Sequence, residues 1–389
     1  MTTRSDTIVS ARLKVLRVAT GDGVAMSFAP LRHRSMVMVE LRTDDGRIGH
    51  GESWTNFPSW AAAERVATLR EGVFPLVVGR TARHITDIHR TLTKKLEPLG
   101  RQWGAPGPIM QAISAADMAL WDLHGKDQGV PVSALLGGRV REQSPVYASS
   151  FGPASVAEQF AMRAAGKHTA VKVKLGFGRE RDESILTEIR EAAGADITLY
   201  ADANQAWSVD EATKMAALLN AFDVAWIEEP LRGNRLEDIE ELHRRTGLTI
   251  ATGENMYGRE EFARYALSPA VAILQPDIAK TGGLTETLSI CQVADAFRKP
   301  VLPHLYGGAI AFAATLQLAA CVPAVREIEY DIRDNPLRDP LVVDPPTPSA
   351  GMIRLPDGPG LGIELEGAMV DTYTQSSEEY LEERLTTLP

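Results

Sequence analysis

Lys172 and Lys174 stand two residues apart in the apolar, β-branched run Val171-Lys172-Val173-Lys174-Leu175, and on a strand residues two apart project from one face. Two like charges on one buried wall are costly unless carboxylates or a substrate anion face them. Side by side, each ammonium disfavours its neighbour's charge, so the pair is expected to have pKa values lowered toward the range useful for abstracting a proton. Beyond the pair, ionisable residues recur at a near-constant interval: Lys174, Asp202, Glu228, Glu254, Asp277, His304 and Glu329 are separated by 28, 26, 26, 23, 27 and 25 residues. That step is about one strand-helix unit of a parallel barrel, whose active site lies at the C-terminal strand ends.

Asp202, Glu228 and Glu254 form an all-oxygen set of the kind hard divalent cations prefer, and Mg²⁺ takes about six oxygens while keeping places for water or substrate. Any one of these acids could be a helix N-cap or a loop charge; three in register argue for one shared site. Glu229, adjacent to Glu228, points off the other strand face and reads as a supporting partner. Asn204, two beyond Asp202, faces the same way and can hydrogen-bond a ligand or a substrate hydroxyl. His304 lies in Val301-Leu302-Pro303-His304-Leu305, with Asp277 one unit earlier; a carboxylate beside an imidazole fixes its tautomer and raises its basicity.

The elements that must carry these residues follow from periodicity. Alternation over Ile8 to Val18 and Met36 to Arg42, with the Asp44-Asp45-Gly46 turn leading into Arg47 to Gly51, predicts an antiparallel sheet. Helical spacing follows near Ala61–Arg70, Ile85–Leu96 and Pro108–Asp127, the last stopped by Gly129 and Pro131. Strands are then expected at Pro145–Ser149, Ala170–Leu175, Thr198–Asp202, Val224–Glu228, Thr249–Thr252, Ile273–Gln275, Val301–Pro303 and Arg326–Tyr330, with helices between them. This pattern predicts an α+β domain over residues 1–136, a parallel (β/α) barrel over 137–349 and a tail, 350–389, returning to the first domain. Two loops of the first domain, Thr20 to Arg34 and Glu52 to Pro58, carry Met26, Phe28, Arg32, His33, Trp54 and Asn56 and are expected to form a lid.

Composition narrows the partners. The 389-residue chain has a formal net charge of -10 and a pI near 5.4, which argues against nucleic acid or an anionic membrane. Cys291 and Cys321 offer no metal-ligand spacing and no disulfide framework. With a polar Met1 to Asp6 and no long apolar run, a cytoplasmic protein is expected.

In combination these residues resemble the enolase superfamily, in its mandelate racemase subgroup. The resemblance rests on Ala112 to Leu123 (AISAADMALWDL), Leu135-Leu136-Gly137-Gly138, the Lys-x-Lys pair, Asp202-Ala203-Asn204 and Trp226-Ile227-Glu228-Glu229-Pro230. Gly253-Glu254-Asn255, Gln275-Pro276-Asp277, Gly282-Gly283 and His304 complete it. It implies a capping domain on a (β/α)7β barrel, Mg²⁺ held by Asp202, Glu228 and Glu254, and a small-molecule carboxylate substrate. Lys174 is implied as the base on one substrate face with Lys172 beside it, and His304, paired with Asp277, as acid or base on the other. Glu329 would orient the substrate carboxylate, although Glu327 shares its strand face. Homo-oligomers are common among similar proteins.

The chemistry so implied is removal of the α-proton of a carboxylate to an ene-diolate. Dehydration of an acid sugar, aldonate or aldarate, to a 2-keto-3-deoxy acid is the expected outcome, with Arg32, His33, Trp54 and Asn56 contacting substrate. Racemisation or epimerisation of a 2-hydroxy acid is the alternative, which the apolar Met26, Phe28 and Trp54 keep open. A cycloisomerase of the muconate type would need a lysine where this chain has Asp277 and His304, with Lys280 three residues along. A non-catalytic sugar-acid binding protein is the reading from another class.

Overall fold

The computed structural model describes residues 6–20, 26, 31–151, 153 and 155–381. Three strands open the chain, β1 (Ile8–Ala19), β2 (His33–Thr43) and β3 (Ile48–Trp54). They pair antiparallel, β1 with β2 from Ala19↔His33 to Ile8↔Thr43 and β2 with β3 from Met36↔Trp54 to Arg42↔Ile48. Gly46 takes φ 88° at the second turn, a left-handed conformation that favours glycine.

Helices α1 (Ala61–Ala67), α2 (Ile85–Trp103), α3 (Pro106–Gln128) and the short α4 (Val132–Leu135) follow. Sixteen residues of α3 are buried, because it is packed by the sheet on one side and the barrel on the other. Ala115 lies so close to β3 that a Cβ on Gly51 would sit 1.7 Å from its carbonyl oxygen; the small residues of both elements make that approach possible.

The barrel runs through β4 (Gln143–Phe151), α5 (Val156–Arg163), β5 (Ala170–Lys174), α6 (Arg179–Ala193), β6 (Thr198–Asp202), α7 (Val209–Ala221), β7 (Val224–Glu228) and α8 (Leu236–Thr246). It continues with β8 (Ile250–Thr252), α9 (Arg259–Leu267), β9 (Val271–Leu274), α10 (Gly283–Ala296), α11 (Ala309–Cys321) and β10 (Ile328–Asp331). All named neighbours pair in parallel, and β10 closes the ring on β4. The seventh position differs from expectation: Val301 makes single bridges to Leu274 and Val325 instead of a strand over Val301–Pro303. Pro300 and Pro303 flank it, and neither has an N–H to give to a ladder. The result is a capping domain on an eight-position barrel interleaved by seven helices.

After the barrel, β11 (Met352–Arg354) pairs antiparallel with β4, and α12 (Gly367–Tyr373) leads to β12 (Thr374–Leu381), which pairs antiparallel with β1. Among the described residues no helix is long and apolar enough to cross a membrane. Of the Thr20 to Arg34 loop, residues 21–25 and 27–30, Phe28 among them, lie outside the described residues.

Side chains of the capping domain cap two barrel helices, which fixes the domains to one another. Glu52, on β3, accepts from Gly308 N at 2.6 Å and Ala311 N at 2.9 Å at the start of α11. Burial pushes its carboxyl up to about 7 against those two N–H donors. At α10, Ser114 Oγ accepts from Gly282 N at 2.9 Å and Asp117 accepts from Thr285 N at 2.9 Å. Both helices therefore depend on another domain for the acceptors that their first turns need. Glu52→Ala and Asp117→Ala are each expected to lower the unfolding free energy by about 1–3 kcal/mol, read by denaturant titration; an unchanged midpoint for both would contradict the capping role.

Candidate active site

On β5 the alternation works as the period demands. Val171 and Val173 pack outward into the core under the helices, while Ala170 joins the barrel interior, so Lys172 and Lys174 point inward with it. Below them lies an aromatic floor: Tyr200 stacks on Trp226 with centroids 4.3 Å apart, and Tyr147 meets Tyr200 edge-on at 5.4 Å. Lys172 Nζ sits 5.5 Å from the Tyr147 centroid and 6.0 Å from that of Trp226.

Each lysine faces a carboxylate. Lys174 Nζ donates to Asp202, its partner in the β5–β6 register. Lys172 Nζ lies 2.5 Å from Glu228 and 2.8 Å from Glu329, and at 1 % exposure it has no access to solvent. The expected lowering of their pKa values is overturned. Burial does act to lower Lys172, but Glu228 and Glu329 hold it well above its ordinary value. Lys174 is likewise raised: burial, the largest influence, and the repulsion of Lys172 both lower it, but Asp202 together with Glu228 and Glu254 overcomes them. Attraction across the barrel exceeds repulsion along the strand because the carboxylates are in direct contact.

His304 is clamped between two acids, with Nδ1 2.7 Å from Asp277 Oδ2 and Nε2 2.7 Å from Glu254 Oε2. Although burial opposes it, this pairing raises the imidazole to about 10, and Glu254 is correspondingly held well below its ordinary value. Glu329 accepts from Ser149 Oγ and, at 3.1 Å, from Leu305 N. Glu327 instead accepts from Tyr200 Oη at 2.9 Å, down in the barrel. Of the two, Glu329 is the one that lines the cavity at the strand ends.

That cavity, of about 660 Å³, is lined by Lys174, Asn204, Glu254, His304 and Glu329 from the barrel and by Met26, Trp54, Phe57 and Arg65 from the capping domain. Asn204 donates its N–H to Asp202 at 2.7 Å and its amide to the same carboxylate at 3.2 Å. Glu229 supports the wall: it accepts from Gln205 at 2.7 Å, Asn255 at 2.8 Å and Asn234 at 3.2 Å. Asn204, Gln205 and Glu229 all have positive φ, 44°, 61° and 35°, and such non-glycine backbone persists only where surrounding contacts enforce it.

Three residues expected at the substrate stand elsewhere. Arg32 and His33 line a separate crevice with Arg17 and Trp60, His33 lying 3.1 Å from Arg17. Asn56 is a brace, accepting from Ser35 N at 3.2 Å and donating to Tyr306 O at 2.8 Å. From the same strand the capping domain gives the barrel Arg34, 2.5 Å from Asp331. β2 begins at His33, and from there alternation sends Arg34 inward (3 % exposed) and leaves His33 outside. Trp54 does line the cavity, with its ring 4.3 Å below Lys280 Nζ. Arg65, Gln111, Ser149, Tyr257 and Tyr306 line it too and carry no mark in the sequence beyond their residue type. Lys280 also lines it, noted in the sequence only for its place three residues after Asp277.

Among the described residues no three His, Cys, Asp or Glu side chains converge closely enough to enclose an ion as they stand, since Asp202, Glu228 and Glu254 are each drawn toward Lys174, Lys172 or His304. The donor chemistry nevertheless fits a hard cation. Asp202 and Glu228 are register partners on neighbouring strands, all donors are oxygens, and Glu228 Oε1 is buried with no hydrogen-bond partner among the described residues.

Known proteins share this framework. Residues 10–137 match the mandelate racemase / muconate lactonizing enzyme N-terminal domain and residues 155–369 the enolase C-terminal domain-like family. A D-galactarolactone cycloisomerase of Agrobacterium fabrum is 33% identical over 347 residues, covering 85% of this chain and 89% of that protein. The D-galactonate dehydratase of Ralstonia nicotianae is 32% identical over 366 residues, covering 88% and 92%. Among solved structures, a variant of L-talarate/galactarate dehydratase liganded with Mg and L-glucarate superposes with TM-score 0.86 at 26% identity, covering 98% of this chain and 96% of that one. The chain is thus an enzyme of the enolase superfamily and belongs to its mandelate racemase/muconate lactonizing enzyme family.

Proposed function

We propose that the protein is an acid-sugar dehydratase. It removes the α-proton of an acid-sugar carboxylate and expels the β-hydroxyl as water, leaving a 2-keto-3-deoxy acid. The observation that carries this reading is the placement of two proton-transfer groups, Lys174 and His304, on separate walls of one cavity roofed by the capping domain. Relatives named as dehydratases of galactonate, arabinonate and rhamnonate support it.

In this scheme Lys174 Nζ takes the α-proton, and Asp202, which it touches, must give up part of its hold on that ammonium before the nitrogen can act as a base. His304 presents Nε2 to the other substrate face once Glu254, which touches that nitrogen at 2.7 Å, releases it, while Asp277 keeps Nδ1; from Nε2 a proton reaches the departing hydroxyl. Glu329, fixed by Lys172, Ser149 and the Leu305 amide, orients the substrate. Lys172 stays a charged strut that keeps Glu228 and Glu329 in place. Asp202, Glu228 and Glu254 would hold Mg²⁺, which when bound offsets the negative charge that develops on the substrate carboxylate. Trp54, Met26 and Phe57 give one wall an apolar character and support a second reading, racemisation of a less polar 2-hydroxy acid, in which His304 returns its proton to carbon.

Incubation with Mg²⁺ and a panel of acid sugars and 2-hydroxy acids in D₂O, followed by NMR, separates these readings. A keto acid appears for an acid sugar, and EDTA abolishes its formation until Mg²⁺ is restored. Incorporation of α-deuterium with no new product would instead mean a racemase or epimerase. Binding with no exchange at all would mean a binding protein.

The two lysines should also part company. Lys174→Ala and His304→Asn are expected to lower kcat by about 10²–10⁴-fold each, with a smaller loss of stability than a Lys172 substitution because both line the cavity, where water can reach the carboxylates they leave. Lys172→Met leaves two buried carboxylates without their cation and is expected to cost about 3–5 kcal/mol in unfolding free energy. Equal stability of the Lys172 and Lys174 variants would contradict the strut assignment.

A further inference from the structure

Two cations of the cavity have no part in α-proton chemistry. Arg65, on α1, is 3 % exposed. Its Nη2 donates to Gln111 of α3 and its Nη1 meets Glu64, leaving Nε buried with no hydrogen-bond partner among the described residues. Burial, the largest influence on this guanidinium, lowers it to about 10, and the Tyr257 phenol is the neighbour that opposes the shift. Lys280, also 3 % exposed, makes its direct hydrogen bonds to oxygens that carry no full charge, Nζ donating to Glu254 O at 3.0 Å and to Asn255 Oδ1 at 3.5 Å over the Trp54 ring. Burial acts to lower it, but the Glu254 and Asp277 carboxylates raise it from beyond direct contact.

Tyr257 lies within electrostatic reach of both Lys280 and Arg65. Gly107 leaves room for that ring, as a Cβ there would lie 2.6 Å from the hydroxyl oxygen. Arg65, Tyr257 and Lys280 line the same cavity as Lys174 and His304. Arg65 comes from the capping domain and the other two from barrel loops, so this cationic corner exists only when the domains are packed together. A buried guanidinium with an unfilled donor is expensive, and an apolar side chain of similar volume would pack there at less cost. An anion that enters with the substrate explains why the charge is there.

We propose that Arg65 and Lys280, with Tyr257 lining the same cavity, receive a second carboxylate at the far end of the substrate, which makes the preferred substrate a dicarboxylic acid sugar, an aldarate, and not an aldonate. The inference rests on the acid-sugar reading above. A carboxylate at the corner offsets the buried charge of Arg65 and gives Lys280 a charged acceptor. It also fixes the substrate's length, because one acid group must reach the corner while the other lies at Glu329 and the metal-binding carboxylates.

The test is steady-state turnover by the Mg²⁺-loaded protein of aldarates and of the aldonates with matching configuration. The aldarate should be favoured in kcat/KM on the order of 10²-fold. Arg65→Gln should lower kcat/KM for the aldarate on the order of 10²-fold, chiefly through KM, and for the aldonate by less than about 10-fold, with Arg65→Lys recovering part of the loss. Equal preference in the wild type, or equal losses for both substrates in Arg65→Gln, would overturn the proposal. Should Arg65→Gln fail to fold, inhibition of the wild type by adipate against the ω-hydroxy acid of the same chain length decides: adipate stronger on the order of 10-fold supports a second carboxylate site, and equal or weaker inhibition overturns it. If no acid sugar loses its α-proton, the acid-sugar reading fails, while binding of adipate against the same hydroxy acid, followed by calorimetry, still decides the corner.

Discussion

A charge buried at the mouth of a barrel needs an opposite charge on a neighbouring strand, and the parallel register supplies it. Lys174, Asp202 and Glu228 occupy one rung across β5, β6 and β7. One residue pair lower on β5, Lys172 bridges Glu228 and Glu329, and on the other side His304 bridges Glu254 and Asp277. No member of this network can be removed without stranding another in low dielectric. The aromatic floor of Tyr147, Tyr200 and Trp226 closes it from below, so the charges can open only upward, to the cavity where a substrate acid would enter. Stability and chemistry therefore depend on the same contacts.

Above the network, the capping domain does more than cover it. Glu52, Ser114 and Asp117 supply the caps of α10 and α11, and Arg34 pairs with Asp331 at the end of β10. These polar contacts set the domains at a fixed angle and so place Trp54 and Arg65 against barrel residues they could not otherwise meet. A roof positioned by helix caps can vary its cavity-facing residues while the caps hold the geometry constant.

The sequence shows some of this readily. The repeat of one ionisable residue per strand-helix unit located the barrel strands and the residues at their ends, because side-chain direction on a strand has a strict period of two. Asp117 and Asp122, noticed only as parts of a family string, have physical reasons in the structure: Asp117 caps α10, and Asp122 accepts from His50 N and Leu361 N to tie β3 to the tail. Other features could not be read in one dimension. The protonation of Lys172 and Lys174 depends on carboxylates from other strands, whose distances the chain order does not give. Arg32, His33 and Asn56 were expected at the substrate because they sit in lid loops, but loop residues have no period that fixes their direction, and the residue that turned inward was Arg34. Arg65 looks in sequence like any helix arginine; only the packing of α1 on α3 reveals it as buried.

The proposed dehydration divides its proton transfers between Lys174 and His304, on different substrate faces and in different steps. The most direct test is to follow the α-proton of a substrate acid sugar in D₂O with the Mg²⁺-loaded His304→Asn protein. The two-face scheme predicts continued exchange of the α-proton, since Lys174 is intact, with formation of the keto acid lost. Loss of exchange together with turnover, or turnover undiminished by the substitution, would contradict it.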